Sequence, residues 1–223
     1  MISVLQANNP ILRWSWFVDE WDQIQAALVQ HLELTLLALA LGAATSAVLA
    51  TVALRFERGA PPITAGVAAL YTVPSIALFG LLVPYTGLTR TTAVVPLAIY
   101  TLLILVTATI DGFRSVPPAV KEAADGMGLT PTRRVLTVEL PLALPYIITG
   151  LRIAAVSTVG LVTVAAIIGQ GGLGRLIFDG LRRAFWTPMT IGASLSILLA
   201  LLLDVLIFGI GWVATPWTRR GRA

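Results

Sequence analysis

The chain has 223 residues, 57% of them apolar and 12% charged, with a net charge of +4. That charge share is about half the usual quarter, and with a mean hydropathy of +0.88 it excludes a soluble globular domain and leaves a membrane protein. The absence of cysteine, the single histidine (His31) and the single lysine (Lys121) exclude disulfides, iron-sulfur clusters, multi-histidine metal sites and a phosphate loop, while basic residues scattered among loop ends argue for membrane topology and against nucleic acid.

Apolar runs long enough to cross a bilayer, which needs ~20 residues of helix, recur five times. Residues 1–27 form a polar and aromatic lead-in with Trp14, Trp16 and Trp21 beside Asp19, Glu20 and Asp22, read as an extracytoplasmic interfacial segment because Trp favours the headgroup level. The membrane domain is read over 28–212. Its first span covers about 28–54, and Gly59, Pro61 and Pro62 then turn the chain. A second span over 63–83 is broken near its middle by Pro74. A third runs over 93–110. The one sizeable polar insert, 111–145, separates it from a fourth span over 146–168. A glycine-rich stretch, Gly169 to Gly174, and an amphipathic segment to Trp186 lead to the fifth span, 190–212, and a basic tail covers 213–223.

The positive-inside rule orients these spans. Segments 55–62, 111–145 and 213–223 carry nine Lys and Arg residues, against five in 1–27, 84–92 and 169–189. The first set is therefore assigned to the cytoplasm, with the N-terminus outside and the C-terminus inside.

The insert reads as two short helices. Prolines in its first turn and glycine at its end suit one helix, joined at Gly128 to the next. Thr130 as N-cap with Pro131 at the first position starts a second, which Pro141 is expected to stop. About thirty residues of helix-turn-helix exceed what a connection needs and point to docking on a partner. Within it, Glu122-Ala123-Ala124, then Gly128, Val138, and Leu140-Pro141 stand at fixed offsets. This pattern resembles the EAA motif of ABC importer permeases, with Val138 where isoleucine is usual.

The resemblance implies an all-α, polytopic membrane protein of the type I importer permease fold, with the insert as a cytoplasmic coupling helix. Carried over, Glu122 meets the ATPase, Ala123 and Ala124 allow close approach, Gly128 makes the turn, and Leu140 and Pro141 lead into the fourth span. It also implies partners: two cytoplasmic ABC ATPase subunits, a second permease that is identical or a sister chain, and a separate extracytoplasmic solute-binding protein, since no binding domain is fused to either end. The chain itself is expected to be no enzyme and to hold no cofactor, with ATP and Mg on the ATPases, in a prokaryotic cytoplasmic (inner) membrane. Thr72 to Pro84, Val138 to Pro145 and Ala166 to Gly174 further resemble the osmoprotectant subgroup, which imports glycine betaine, choline or carnitine. The Gly-Gly-Leu-Gly segment also occurs in methionine-type importers, which stand as the alternative. An ion-coupled secondary transporter needs intramembrane coupling residues that this chain scarcely supplies.

For a quaternary amine, the path or gate would be drawn from Tyr71, Thr72, Pro74, Ser75, Thr107, Ser157, Thr158, Thr163, Gly171, Gly172 and Asp204. Each has a plainer reading. Asp204, deep in the fifth span, first reads as a structural partner to a neighbouring helix. Pro74 with Ser75 marks either a kink facing a cavity or a packing kink. The glycine run serves either close packing at an outer gate or a flexible loop. His31 and Glu33 read as headgroup-level residues.

Overall fold

The computed structural model describes residues 10–56 and 58–219. Among the described residues the secondary structure is helical throughout. In chain order the helices are α1 (Trp14–Asp19), α2 (Trp21–Arg55), α3 (Ala60–Thr72), α4 (Ser75–Thr86), α5 (Arg90–Arg114), α6 (Pro118–Gly126), α7 (Pro131–Ile168), α8 (Leu173–Arg182) and α9 (Trp186–Ala214), with a closing 3-10 turn, Pro216–Arg219. Four of them, α2, α5, α7 and α9, are long and apolar enough to cross a membrane; α3 and α4 form a bent pair that makes a fifth if counted as one span. The broken second span expected at Pro74 is thus observed, with Pro74 capping α4.

Proline placement explains several boundaries. Pro61 and Pro62 do not end a turn but sit in the first turn of α3, where the missing N–H would have had no partner. Pro118 does the same for α6. Pro141, expected to stop the second insert helix, lies inside a continuous α7 instead. The reason lies just before it: Val135–Glu139 forms a π-turn, which widens the hydrogen-bonded loop ahead of the ring and relieves the clash a proline makes with the carbonyl four residues back. Helical structure also begins earlier than the hydropathy indicated, because α1 and the start of α2 fall within the lead-in.

The chain divides into two compact units, and each long helix contributes one end to each. One unit comprises residues up to Ala40, Val73–Ala98 and Val156–Leu202. Its core gathers Leu34, Ala38, Phe79, Ala93, Leu97, Val162, Ala165 and Ile168, and a second cluster joins Ile24 and Ala27 to Leu173, Leu176 and Ile191. His31 lies here fully buried within the protein, its Nε2 donating to the Val159 carbonyl at 3.0 Å. Gly172 packs over it at φ +52, where a Cβ would come within 2.7 Å of the His31 Cβ. This close approach across α2 is what the glycine run makes possible.

The other unit comprises Leu41–Thr72, Ile99–Ala155 and the chain from Leu203 on. Its core is built from Ala50, Ala53, Ala60, Val67, Leu102, Val106 and Ile110. Small residues set the spacing of α5 and α7: a Cβ on Gly150 would overlap that of Ala108, and one on Gly112 would come within 2.9 Å of the Ala143 carbonyl. Tight packing of small residues is how apolar helices gain association energy where the surrounding medium is itself apolar. Replacing Gly150 with valine is expected to force α5 and α7 apart at a cost of about 1–3 kcal/mol, read as a lower thermal midpoint of the detergent-purified protein. Glycine-to-alanine replacement at Gly126, which has open space beside it, should leave the midpoint nearly unchanged.

Candidate functional site

The polar insert is built from α6 and the first turns of α7. Pro117 caps α6, and the chain turns at Gly128, whose φ of +76 is a conformation side chains with a Cβ rarely adopt. Thr130 then caps α7, its hydroxyl oxygen accepting from the Arg133 N–H at 3.4 Å, with Pro131 at the first helical position. Both ends follow the capping signals in the sequence.

Charge pairing fastens the two pieces. The Arg134 Nη1 donates to both oxygens of Asp125, at 2.6 and 2.7 Å. Its Nε donates to Glu139 at 2.8 Å. The second oxygen of Glu139 receives Lys121 Nζ at 3.2 Å, and Lys121 also donates to the Phe113 carbonyl at 3.4 Å. Glu139 is buried, at 5% exposure, whereas Asp125 is open to solvent. A carboxylate removed from water needs such paired donors, and here two cations supply them.

Of the residues that carry the EAA pattern, Glu122, Ala123 and Gly128 are exposed, together with Gly126 and Met127. Ala124 is turned inward and buried at 1% exposure. Leu140 and Pro141 are half-buried in α7, directly after the π-turn. The insert therefore presents a small-sided, mostly polar surface from which Met127, at 72% exposure, and Leu136, at 58%, project as apolar side chains.

The residues proposed for a path fall in different surroundings. Tyr71 is exposed and meets Tyr100 edge-on, with ring centroids 5.5 Å apart. Thr72 is exposed and donates to the Ala69 carbonyl at 2.7 Å. Thr107 donates to Leu103 at 2.6 Å and lines a cleft of about 690 Å³ between α5 and α7 with Asp111, Tyr146 and Thr149. Pro74 is exposed and Ser75 half-buried at the head of α4. Thr158 is buried, Ser157 and Thr163 are half-buried, and Thr163 donates to the Gly160 carbonyl at 2.6 Å. Gly171 and Gly172 are buried, the latter against His31.

Asp204 is engaged by a residue that the sequence reading passed over. Arg152 of α7 donates from Nε and Nη2 to its two oxygens, both at 2.8 Å, and the guanidinium lies over the Phe208 ring at 5.0 Å. The structural reading of Asp204 thus matches its geometry. One cation and one anion, each alone in an apolar span, were the available signal. Glu139 was harder to find, because its partner Arg134 stands five residues away, a spacing that does not face across a regular α-helix.

A family model described as "Binding-protein-dependent transport system inner membrane component" matches residues 42–210. The chain is 35% identical over 206 residues to the osmoprotectant import permease protein OsmW of Salmonella typhimurium, covering 90% of this chain and 96% of that one. It is 31% identical over 179 residues to the glycine betaine/carnitine/choline transport system permease protein OpuCB of Bacillus subtilis, covering 80% and 82%. Among solved structures, the inward-facing MetNI methionine ABC transporter superposes with a TM-score of 0.67 at 20% identity, covering 92% of this chain and 98% of that one. The last likeness concerns the fold alone.

The Arg152–Asp204 pair generates a stability prediction. Asp204→Asn should leave the guanidinium without its counter-charge in an apolar span and lower the thermal midpoint of the purified protein by several degrees. The double substitution Arg152→Met with Asp204→Leu removes both charges together and should recover most of that loss. A double variant no more stable than the single one would contradict a purely structural role.

Proposed function

The chain belongs to the binding-protein-dependent transport system inner membrane components, and on that premise we propose that it forms the translocation path for a quaternary amine osmoprotectant such as glycine betaine, choline or carnitine. The observation that carries this reading is the likeness to permeases of that substrate class along most of the chain's length. The methionine alternative draws on a structural likeness at 20% identity, which speaks for a shared fold and not for a shared substrate.

The chemistry of the path supports the substrate class. A quaternary amine has no N–H to donate and holds its water weakly, so it is served by aromatic faces and oxygen lone pairs. Thr72, Thr107 and Thr163 spend their protons on carbonyls of their own helices, which leaves their oxygens as acceptors. Tyr71, exposed and meeting the buried Tyr100 edge-on, offers an aromatic ring. Asp204 is already engaged by Arg152, so it does not act as a trap for the cation in transit, and affinity would reside in the solute-binding protein.

Two cytoplasmic ABC ATPases, holding ATP and Mg, would drive the cycle, with a second permease completing the path. In this reading the exposed edge of α6, Glu122 and Ala123 with the turn at Gly128, seats in the ATPase, and Leu140 and Pro141 pass its displacement into α7. The orientation that follows places the insert and C-terminus in the cytoplasm and the N-terminus outside.

Three outcomes are expected. Gly128→Glu, which forces a side chain into a left-handed turn, should leave assembly intact and abolish hydrolysis stimulated by the binding protein; normal stimulation would sink the coupling role. A cysteine placed at exposed Ala119 should react in intact cells only with membrane-permeant reagents, and one at exposed Thr89 with impermeant ones, the native chain having no cysteine. Finally, a strain lacking this chain should lose high-affinity uptake of radiolabelled glycine betaine or choline and keep methionine uptake; the reverse pattern would move the assignment to the methionine class.

A further inference from the structure

The π-turn Val135–Glu139 separates the insert from the body of α7, and it holds one residue more per hydrogen-bonded loop than an α-helix does. That extra residue changes which side chains meet. On a regular helix, turning roughly 100° per residue, positions five apart point about 140° away from each other. Arg134 and Glu139 are five apart, yet they pair at 2.8 Å. Their contact therefore belongs to the π register and is lost if the segment relaxes to the α register with its length unchanged.

The same two residues bracket the turn and tie it to α6. Glu139 takes Lys121, and Arg134 takes both oxygens of Asp125. Glu139 is buried, so it meets no partner subunit directly. Thr137, inside the turn, is exposed, and its hydroxyl donates to the Arg133 carbonyl at 2.7 Å. It is the turn's spare residue in the sense that no ion pair depends on it.

We propose that the Val135–Glu139 π-turn is a hinge in the coupling path and that Glu139 is the positioning residue that locks it. While the π register holds, Lys121 and Arg134 share one buried carboxylate and α6 moves as one body with the head of α7. When the register slips, Glu139 swings off Arg134, and the rest of α7 rotates relative to α6. Two discrete hydrogen-bond registers give the bistability that a switching element needs. This inference rests on the reading of α6 as the ATPase-coupling helix.

The test uses the complete transporter, with its ATPase and binding protein, in vesicles where radiolabelled uptake and ATP hydrolysis are measured on the same sample. Deleting Thr137 makes the segment a plain α-helix and brings Arg134 and Glu139 to four apart, where they still pair. The lock survives and the hinge is gone. Glu139→Gln does the opposite, keeping the turn and opening the lock. The deletion is expected to assemble with uptake reduced roughly five- to tenfold, and Glu139→Gln to raise hydrolysis without binding protein and to lower uptake per ATP by a similar factor, the scale of ordinary site-to-site coupling. Should Glu139→Gln fail to assemble, Arg134→Gln opens the same pair from its more exposed end and is held to the same expectation. Wild-type uptake in the deletion, or wild-type uptake per ATP in an assembled Glu139→Gln or Arg134→Gln variant, overturns the proposal, and so does failure of all three to assemble, which would make the segment merely structural. Gly128→Glu in the same vesicles separates the two readings: retained stimulation there refutes the coupling role of α6, whereas lost stimulation there beside normal ratios in the hinge variants refutes the hinge alone.

Discussion

A span inside hydrocarbon has no water to complete its hydrogen bonds, so every backbone N–H and C=O must be satisfied within the protein. This constraint makes the described chain helical from end to end, and it decides where irregular backbone is tolerated. Pro61, Pro62, Pro118 and Pro131 stand in first turns, where no donor is missed, and Pro141 follows a π-turn that makes room for the ring, while Pro84, Pro96 and Pro145 lie inside α4, α5 and α7. Threonine hydroxyls in α2, α3 and α5 turn back onto carbonyls of their own helices. The break at Val73 and Pro74 falls where Ala77 and Leu78 both donate to the Pro74 carbonyl, which engages the third and fourth donors of α4.

Charge obeys the same rule with sharper consequences. Arg152 and Asp204 sit in separate apolar helices, and each is acceptable there because of the other. Glu139 is a second case, a buried carboxylate held by two cations where α6 meets α7. The two sites differ in what surrounds them. The Arg152 pair is continued only by an aromatic face, Phe208, and has no irregular backbone beside it. The Glu139 cluster borders a π-turn, a positive-φ glycine and two prolines within some twenty residues. Fixed charges next to backbone with more than one available register are suited to movement, and regular helix around a closed pair is suited to holding still.

Glycine divides along similar lines. Gly150, Gly112 and Gly172 let helices or loops approach to distances that a Cβ would forbid, which is packing. Gly128 has open space around it and is required by its left-handed conformation, which is shape. Substitutions at the two kinds of position act by different routes, steric at the first and conformational at the second.

The sequence by itself determined the membrane class, the five apolar runs, the broken second span and the position and capping of the insert, because these depend on hydropathy summed over about twenty residues and on residues whose local conformation is fixed, proline and glycine above all. The EAA spacing, Glu122 to Pro141, placed the family for the same reason: it is read along one stretch of chain. Tertiary structure alone decided which distant side chains meet. Arg152 finds Asp204 fifty-two residues away, His31 is buried under Gly172, and Ala124 turns inward while Ala123 stays exposed. It also decided that Pro141 continues a helix, since an expected proline stop assumes α geometry on both sides, and a single π-turn, stabilised by an ion pair that only it permits, removes that assumption.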